Sequence, residues 1–264
     1  MMPPQDFDYD LVDERTIETT LPTYPSAQWL NGQTALKALG GVAYTGGIVI
    51  PRRSLAAERD ADVPGFTPTT LTFRSGKDEP ALTAMTATVA VLRTRFCWKY
   101  GQNGHPLYVP RSGYVANVGM KGRLQVLVVF QGDARPFAIT FSAKASQFFE
   151  NLLKGFDQQV VGAAHKLSPS GQRLPRFAFW LTLTAGKHQK ANADYESIIT
   201  PPTLTLPADI TRETLRTWYV GRENLERFTA LYHAAEAWAK AWNGGTASPL
   251  PADEPGEEET ETPF

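Results

Sequence analysis

The sequence predicts a mainly β fold with added helices, in the α+β class, and three observations carry that reading. A long run, 83–100, is dense in Thr, Val, Ala and aromatic residues, the composition that suits a pleated, half-buried surface. Two runs with strand periodicity, 123–130 and 136–143, flank Gly132-Asp133, the pattern of a hairpin. Apolar residues return at helical spacing over 145–156 and again over 223–243.

In chain order, residues 1–23 are acidic and lack apolar periodicity, which predicts a flexible N-terminal arm. Asp6, Asp8 and Asp10 alternate there with Phe7 and Tyr9, but no loop glycine accompanies them, so no cation site is expected. The body is expected to span 24–243. A short helix is predicted over 33–39, ended by Gly40-Gly41; a β-like stretch follows over 42–50, then a polar loop over 51–68 and a strand over 69–74. The run 83–100 exceeds the usual strand length, so it must bend or bulge. Strict alternation would place Leu92, Phe96, Trp98 and Tyr100 on one face and Arg93, Arg95 and Lys99 on the other. A Gly- and Tyr-containing loop is expected over 101–120. In the hairpin, Phe137, Ile139 and Phe141 face one way. The helix over 145–156 should bury Phe148, Phe149, Leu152 and Leu153. A strand is predicted over 176–184, a basic polar loop over 187–194, and a short extended segment framed by Pro201, Pro202 and Pro207. Helices over 211–219 and 223–243 complete the body. The second carries a stripe of Leu225, Phe228, Tyr232, Ala235, Ala239 and Trp242, which suits packing on the body or on a second subunit, and a homo-oligomer is the expectation.

Composition removes several function classes. The single cysteine, Cys97, excludes an internal disulfide framework and a cysteine-rich zinc site and suits a reducing, cytoplasmic compartment. Mid-strand among aromatics, it is expected to be a buried, inert thiol. The first residues show no signal-peptide pattern, and no apolar stretch nears the roughly 20 residues that span a bilayer, so no membrane association is expected. The chain has no Gly-x-x-x-x-Gly-Lys loop and no Gly-x-Ser-x-Gly elbow, and His105, His165, His188 and His233 are scattered. Neither enzymatic activity, nor a cofactor, nor a metal is expected.

Charge points elsewhere. The formal net charge is only −1, but residues 1–18 hold six acids and one base, and residues 253–264 hold six acids and no base. Removing these from the 27 acids and 26 bases of the chain leaves 15 acids and 25 bases in 19–252, a formal +10. A basic body between acidic ends fits a binder of polyanions. Cations and aromatics also interleave in three clusters: Arg93, Arg95, Trp98, Lys99 and Tyr100; Arg111, Tyr114, Lys121 and Arg123, with Tyr108 nearby; and Arg176, Trp180, Lys187 and Lys190. With Arg52, Arg53 and Arg74 they form the expected nucleic-acid-binding set. Single strands call for this mix, since bases stack on aromatic faces while cations follow the phosphates.

The segment 244–264 reads as a disordered acidic tail, ending Glu257-Glu258-Glu259-Thr260-Glu261-Thr262-Pro263-Phe264. An apolar ring beside a carboxylate suits a partner pocket rimmed by cations, with Glu257, Glu258, Glu259, Glu261, Pro263 and Phe264 as the contact residues. This tip resembles that of bacterial and phage single-stranded DNA-binding proteins. The resemblance covers about the last dozen residues; Thr262 stands where the bacterial tip usually carries an apolar residue, and no body motif of that family occurs in 1–243. The resemblance implies an OB-fold-like antiparallel barrel of five or more strands with C-terminal helices. It also implies a tail that recruits replication, recombination or repair proteins and competes with DNA for the basic groove. The expected function is sequence-independent binding and protection of single-stranded DNA in a bacterial or phage-infected cell. A strand-annealing recombinase, a non-enzymatic phage or mobile-element adaptor, and RNA as the preferred strand are the alternatives.

Overall fold

The computed structural model describes residues 24–30, 46–58, 61–72, 78–102, 105–115, 119–168, 171, 173–187, 189–192, 195–206 and 209–241. The arm 1–23, the helix expected over 33–39 and the tail 244–264 lie outside them. The described strands are β1 (Ser26–Leu30), β2 (Gly47–Pro51), β3 (Thr67–Thr72), β4 (Asp78–Ala84), β5 (Thr86–Gln102), β6 (His105–Pro110), β7 (Lys121–Phe130), β8 (Pro136–Ser142), β9 (Leu181–Ala185), β10 (Gln189–Asn192), β11 (Tyr195–Ile199) and β12 (Pro202–Leu204). Ten of them form one sheet in the order β12-β9-β5-β7-β8-β1-β2-β4-β3, with β6 pairing on β5, while β10 and β11 form a separate hairpin. The α+β class therefore holds, but the sheet is mixed, because β1 runs parallel to β8. β1 and β8 are far apart in sequence, so no tight turn dictates their relative direction. The ends of the path, β12 and β3, do not pair with each other.

The run 83–100 bends and bulges as its length requires. β4 passes into β5 through Met85; β4 pairs with β2 and β3, β5 with β9 and β7. One continuous stretch thus serves both halves of the sheet. The bulge lies at Leu92, between the pairs Val91↔Val128 and Arg93↔Leu127. An extra residue flips the alternation, so the expected face assignment is corrected. Leu92 joins the side of Arg93 and Arg95, and Phe96 and Trp98 fall on the side of Val91.

Both faces of the central strands are covered. On one, Val89, Val91, Val126, Val128, Phe137, Ile139 and Phe141 pack with Phe149, Leu153 and Phe156 of α1 (Ala143–Phe156). Helix continues through a π-helical stretch, Asp157–Val161, into α2 (Gly162–Leu167). Phe149 and Leu153 are buried as expected, whereas Phe148 and Leu152 are half-buried. On the other face, Ala90, Leu92, Leu127, Val129 and Ala138 meet Phe177, Val220, Phe228, Ala235, Trp238 and Ala239. These come largely from α4 (Arg222–Ala234) and α5 (Glu236–Ala241), which follow α3 (Arg212–Trp218), itself capped by the Thr211 hydroxyl accepting from Thr214 N at 3.2 Å. The expected single helix over 223–243 is therefore two. Among its described members the apolar stripe packs on the protein's own sheet; Trp242 lies outside the described residues.

The sheet curls around α1, which touches β7, β8 and also β12. Trp29 of β1 donates from Nε1 to the Thr200 carbonyl, 2.9 Å away, just before β12. Gly46 sits against Thr200 with φ +103°, and a Cβ there would stand 2.7 Å from the threonine side chain, so this close approach requires glycine.

Three segments differ from expectation. The 101–120 loop contains β6 and a 3-10 turn, Arg111–Gly113; its prolines are tolerated because β6 is an edge strand. Basic segment 187–194 contributes β10 to a hairpin. The 176–184 strand begins as a 3-10 turn, Arg176–Ala178, and becomes β9 only at Leu181. Among the described residues no helix is long and apolar enough to cross a membrane.

Candidate nucleic-acid interface

The far end of β5 builds the site. Trp98 lies opposite Gly122 of β7 and Val109 of β6. Gly122 leaves room for aromatic side chains: a Cβ there would be 3.1 Å from the Phe96 ring. Phe96 meets Trp98 edge-on at 5.0 Å, and Trp98 meets Tyr114 at 4.6 Å with the planes tilted by 44°. Trp98 Nε1 donates to the Arg111 carbonyl at 3.1 Å, which fixes the indole against the 3-10 turn. Tyr114 is 54 % exposed, an unusual state for an aromatic already in a ring cluster.

Cations surround these rings. The Arg111 guanidinium lies 4.3 Å from the Phe96 centroid and is ion-paired with Glu150 of α1. Lys99 and Lys121 stand directly opposite each other across β5 and β7. Like charges in that position oppose pairing. Lys144 occupies the first turn of α1, whose N-cap, Ser142, makes no side-chain cap bond because its hydroxyl accepts from Arg123. A lysine at the positive end of a helix dipole is unfavourable locally and concentrates positive potential here. Phe96, Trp98, Arg111, Met120, Lys121, Gly122, Lys144, Ser146, Gln147 and Glu150 line a cavity of about 380 Å³. Among the described residues it offers a ring-lined wall, a cationic rim and one carboxylate, and a wall and rim of that kind can hold a base and a phosphate together.

The other expected cations sit differently. Arg93 stacks on Tyr232 at 3.5 Å and donates from Nε to the Tyr232 carbonyl at 2.9 Å. Arg95 is buried: Nε donates to Gln125 Oε1 at 2.8 Å, NH1 to the Trp238 carbonyl at 3.1 Å, and its guanidinium lies 4.1 Å from the Trp238 ring. Burial lowers its pKa to about 10, with the Cys97 charge opposing, so it stays charged at neutral pH. Arg123 is buried as well, donating to Ser142 Oγ. Cys97 lies between these arginines, 1 % exposed. Burial pushes its thiol up to about 12 against the pull of Arg123, Arg95 and Lys99, which fits the expected unreactive group.

Arg176 is held by both oxygens of Asp157, and Trp180 packs edge-on against Phe228 at 5.6 Å. Arg52 pairs with Asp62 and Arg53 with Glu79, at the β2–β4 end of the sheet. Lys187 is exposed. Arg74, the side chains of Tyr100, Tyr108 and Lys190, and tail residues Glu257, Glu258, Glu259, Glu261, Pro263 and Phe264 lie outside the described residues. The structure thus brings together Trp98, Arg111, Tyr114 and Lys121, and adds Phe96, Met120, Lys144, Gln147 and Glu150; Lys99 is at the same end of β5 but on the opposite face from Trp98. Lys144 had a readable signal, a base in a helix's first turn; Gln147 and Glu150 follow from it by one and two turns. Among the described residues no group of three His, Cys, Asp or Glu could hold a metal ion. No protein-family model, curated protein or solved structure matches this chain.

Proposed function

We propose that the chain binds single-stranded DNA without strict sequence preference, through the Phe96–Trp98–Tyr114 cluster and the cations Arg111, Lys121 and Lys144. The observation that carries this reading is the exposed Tyr114 ring, tilted against Trp98, which itself lines a cavity with Lys121 and Lys144. An exposed ring face of that kind receives any base, while duplex keeps its bases inside. The formal +10 of residues 19–252 supports a backbone-tracking, salt-dependent component. On the same reading the curled sheet acts as an OB-like groove, the run 78–102 joining its halves. The acidic segment 253–264 recruits replication or repair proteins and competes for the cationic rim when DNA is absent.

The test is fluorescence anisotropy of labelled oligo-dT titrated with the protein at two salt concentrations, with duplex as competitor. Tight, salt-sensitive binding that duplex does not displace is expected. Absence of binding at low salt, both by the full chain and by a chain lacking 253–264, overturns the proposal.

A further inference from the structure

Resting on that reading, we propose that Glu150 is a selectivity residue, which keeps the ring-lined part of the cavity for neutral planar groups and turns away anions that carry no ring. Three observations lead there. Glu150 is the one acid among the described residues that line the cavity, and its side chain is only 25 % exposed. Its ion pair with Arg111 neutralises the guanidinium that lies over Phe96, beside the Trp98 indole. Lys144 stands six residues earlier on α1, about 9 Å along the axis at 1.5 Å per residue. The cavity therefore has an electrically balanced aromatic end, at Phe96, Trp98, Arg111 and Glu150. Its cationic end is marked by Lys121 and Lys144.

A nucleotide unit matches this division. Its base is neutral and planar and occupies the balanced end; its phosphate stays with the lysines. A polyanion without rings gains nothing from the aromatic wall, and any charge it places there meets the Glu150 carboxylate. Glu150 costs such a ligand affinity while leaving a stacked base almost untouched. Specificity is then built from a repulsive element as well as an attractive one.

The experiment competes labelled oligo-dT on the full-length protein with sodium tripolyphosphate, for the wild type and for Glu150→Gln, Glu150→Asp and Trp98→Ala. In Glu150→Gln, Arg111 loses its charged partner. Tripolyphosphate is expected to compete about tenfold better, the scale of one charge-assisted hydrogen bond, and to gain at least about threefold more than oligo-dT does. Glu150→Asp, which keeps the charge, is expected to retain most of the wild-type discrimination, which also guards against a mere folding defect. Equal shifts for both ligands, or none for either, overturn the inference. Trp98→Ala separates the two readings. If it leaves oligo-dT binding unchanged, the site assignment itself fails; if it weakens binding while Glu150→Gln leaves the ratio unchanged, only the filter fails.

Discussion

Two clusters of arginine on aromatic rings lie along one strand, and they differ in what covers them. At Arg93 and Arg95 the rings are Tyr232 and Trp238, supplied by α4 and α5, and the guanidinium groups are consumed by carbonyls and Gln125. At the far end of β5 the rings are Phe96, Trp98 and Tyr114, the cations are Arg111, Lys121 and Lys144, and Tyr114 stays exposed. Residue types alone do not separate a scaffold from a binding surface; the covering helix does. The first cluster clamps helices to the sheet, and the second keeps an exposed ring, the surface that the proposed function uses.

The largest way to break the comparison is in the clamp. Trp238→Ala removes a buried indole, 3 % exposed, from beneath Arg95 and is expected to cost about 3–5 kcal/mol of unfolding free energy in urea denaturation. Next comes the uncovered side. Trp98→Ala is expected to weaken oligo-dT binding by about 1–3 kcal/mol, read by anisotropy, through loss of one stacking surface. Lys144→Gln leaves stability within about 0.5 kcal/mol, since the residue is exposed, but flattens the slope of log affinity against log salt by about 0.7.

Two smaller effects concern titration. Asp133 is buried, which raises its pKa, but hydrogen bonds from the Arg135 side chain and backbone, and the Arg135 charge, outweigh that and hold it below the usual carboxylate value. Its folded pKa is depressed, so its contribution to stability is present above the unfolded value near about 3.9 and is lost as pH falls through the folded pKa. Asp133→Asn should remove that part of the acid dependence in denaturation midpoints measured across pH 2–6, a range of about four units around the carboxylate value. Cys97, with its thiol pushed up to about 12, should resist alkylation by iodoacetamide at pH near about 8 in the folded protein and react on unfolding.

The parts of the fold with one dominant period were legible. β7 and β8 with their Gly132-Asp133 turn, α1 with Phe149 and Leu153, and the need for a bend in 83–100 all follow from local pattern. The position of the bulge at Leu92 did not, because it depends on which β5 residue β7 leaves unpaired, a tertiary event. Hence Leu92 lies on the face of Arg93 rather than opposite it, while Phe96 and Trp98 stay opposite Arg93 and Arg95 as alternation predicts. β6 was hidden by Pro106 and Pro110, which read as loop residues unless the strand is known to lie at an edge. Half of the site was readable, as Trp98, Arg111, Tyr114 and Lys121 already stood out as interleaved rings and cations. The place of Lys144 in the first turn of α1 could be read too, but not that Lys144, Gln147 and Glu150 meet those residues, which depends on helix packing on β7.

The most direct test sets the two clusters against each other. Tyr114→Ala and Tyr232→Ala remove one ring from each, and both proteins are titrated with the same labelled oligo-dT at matched salt, with folding checked by circular dichroism. Tyr114→Ala is expected to lose about 1–3 kcal/mol of binding with little change in stability, while Tyr232→Ala loses stability and keeps its affinity. Retained affinity in Tyr114→Ala together with lost affinity in folded Tyr232→Ala would contradict it and move the interface to the α4 face.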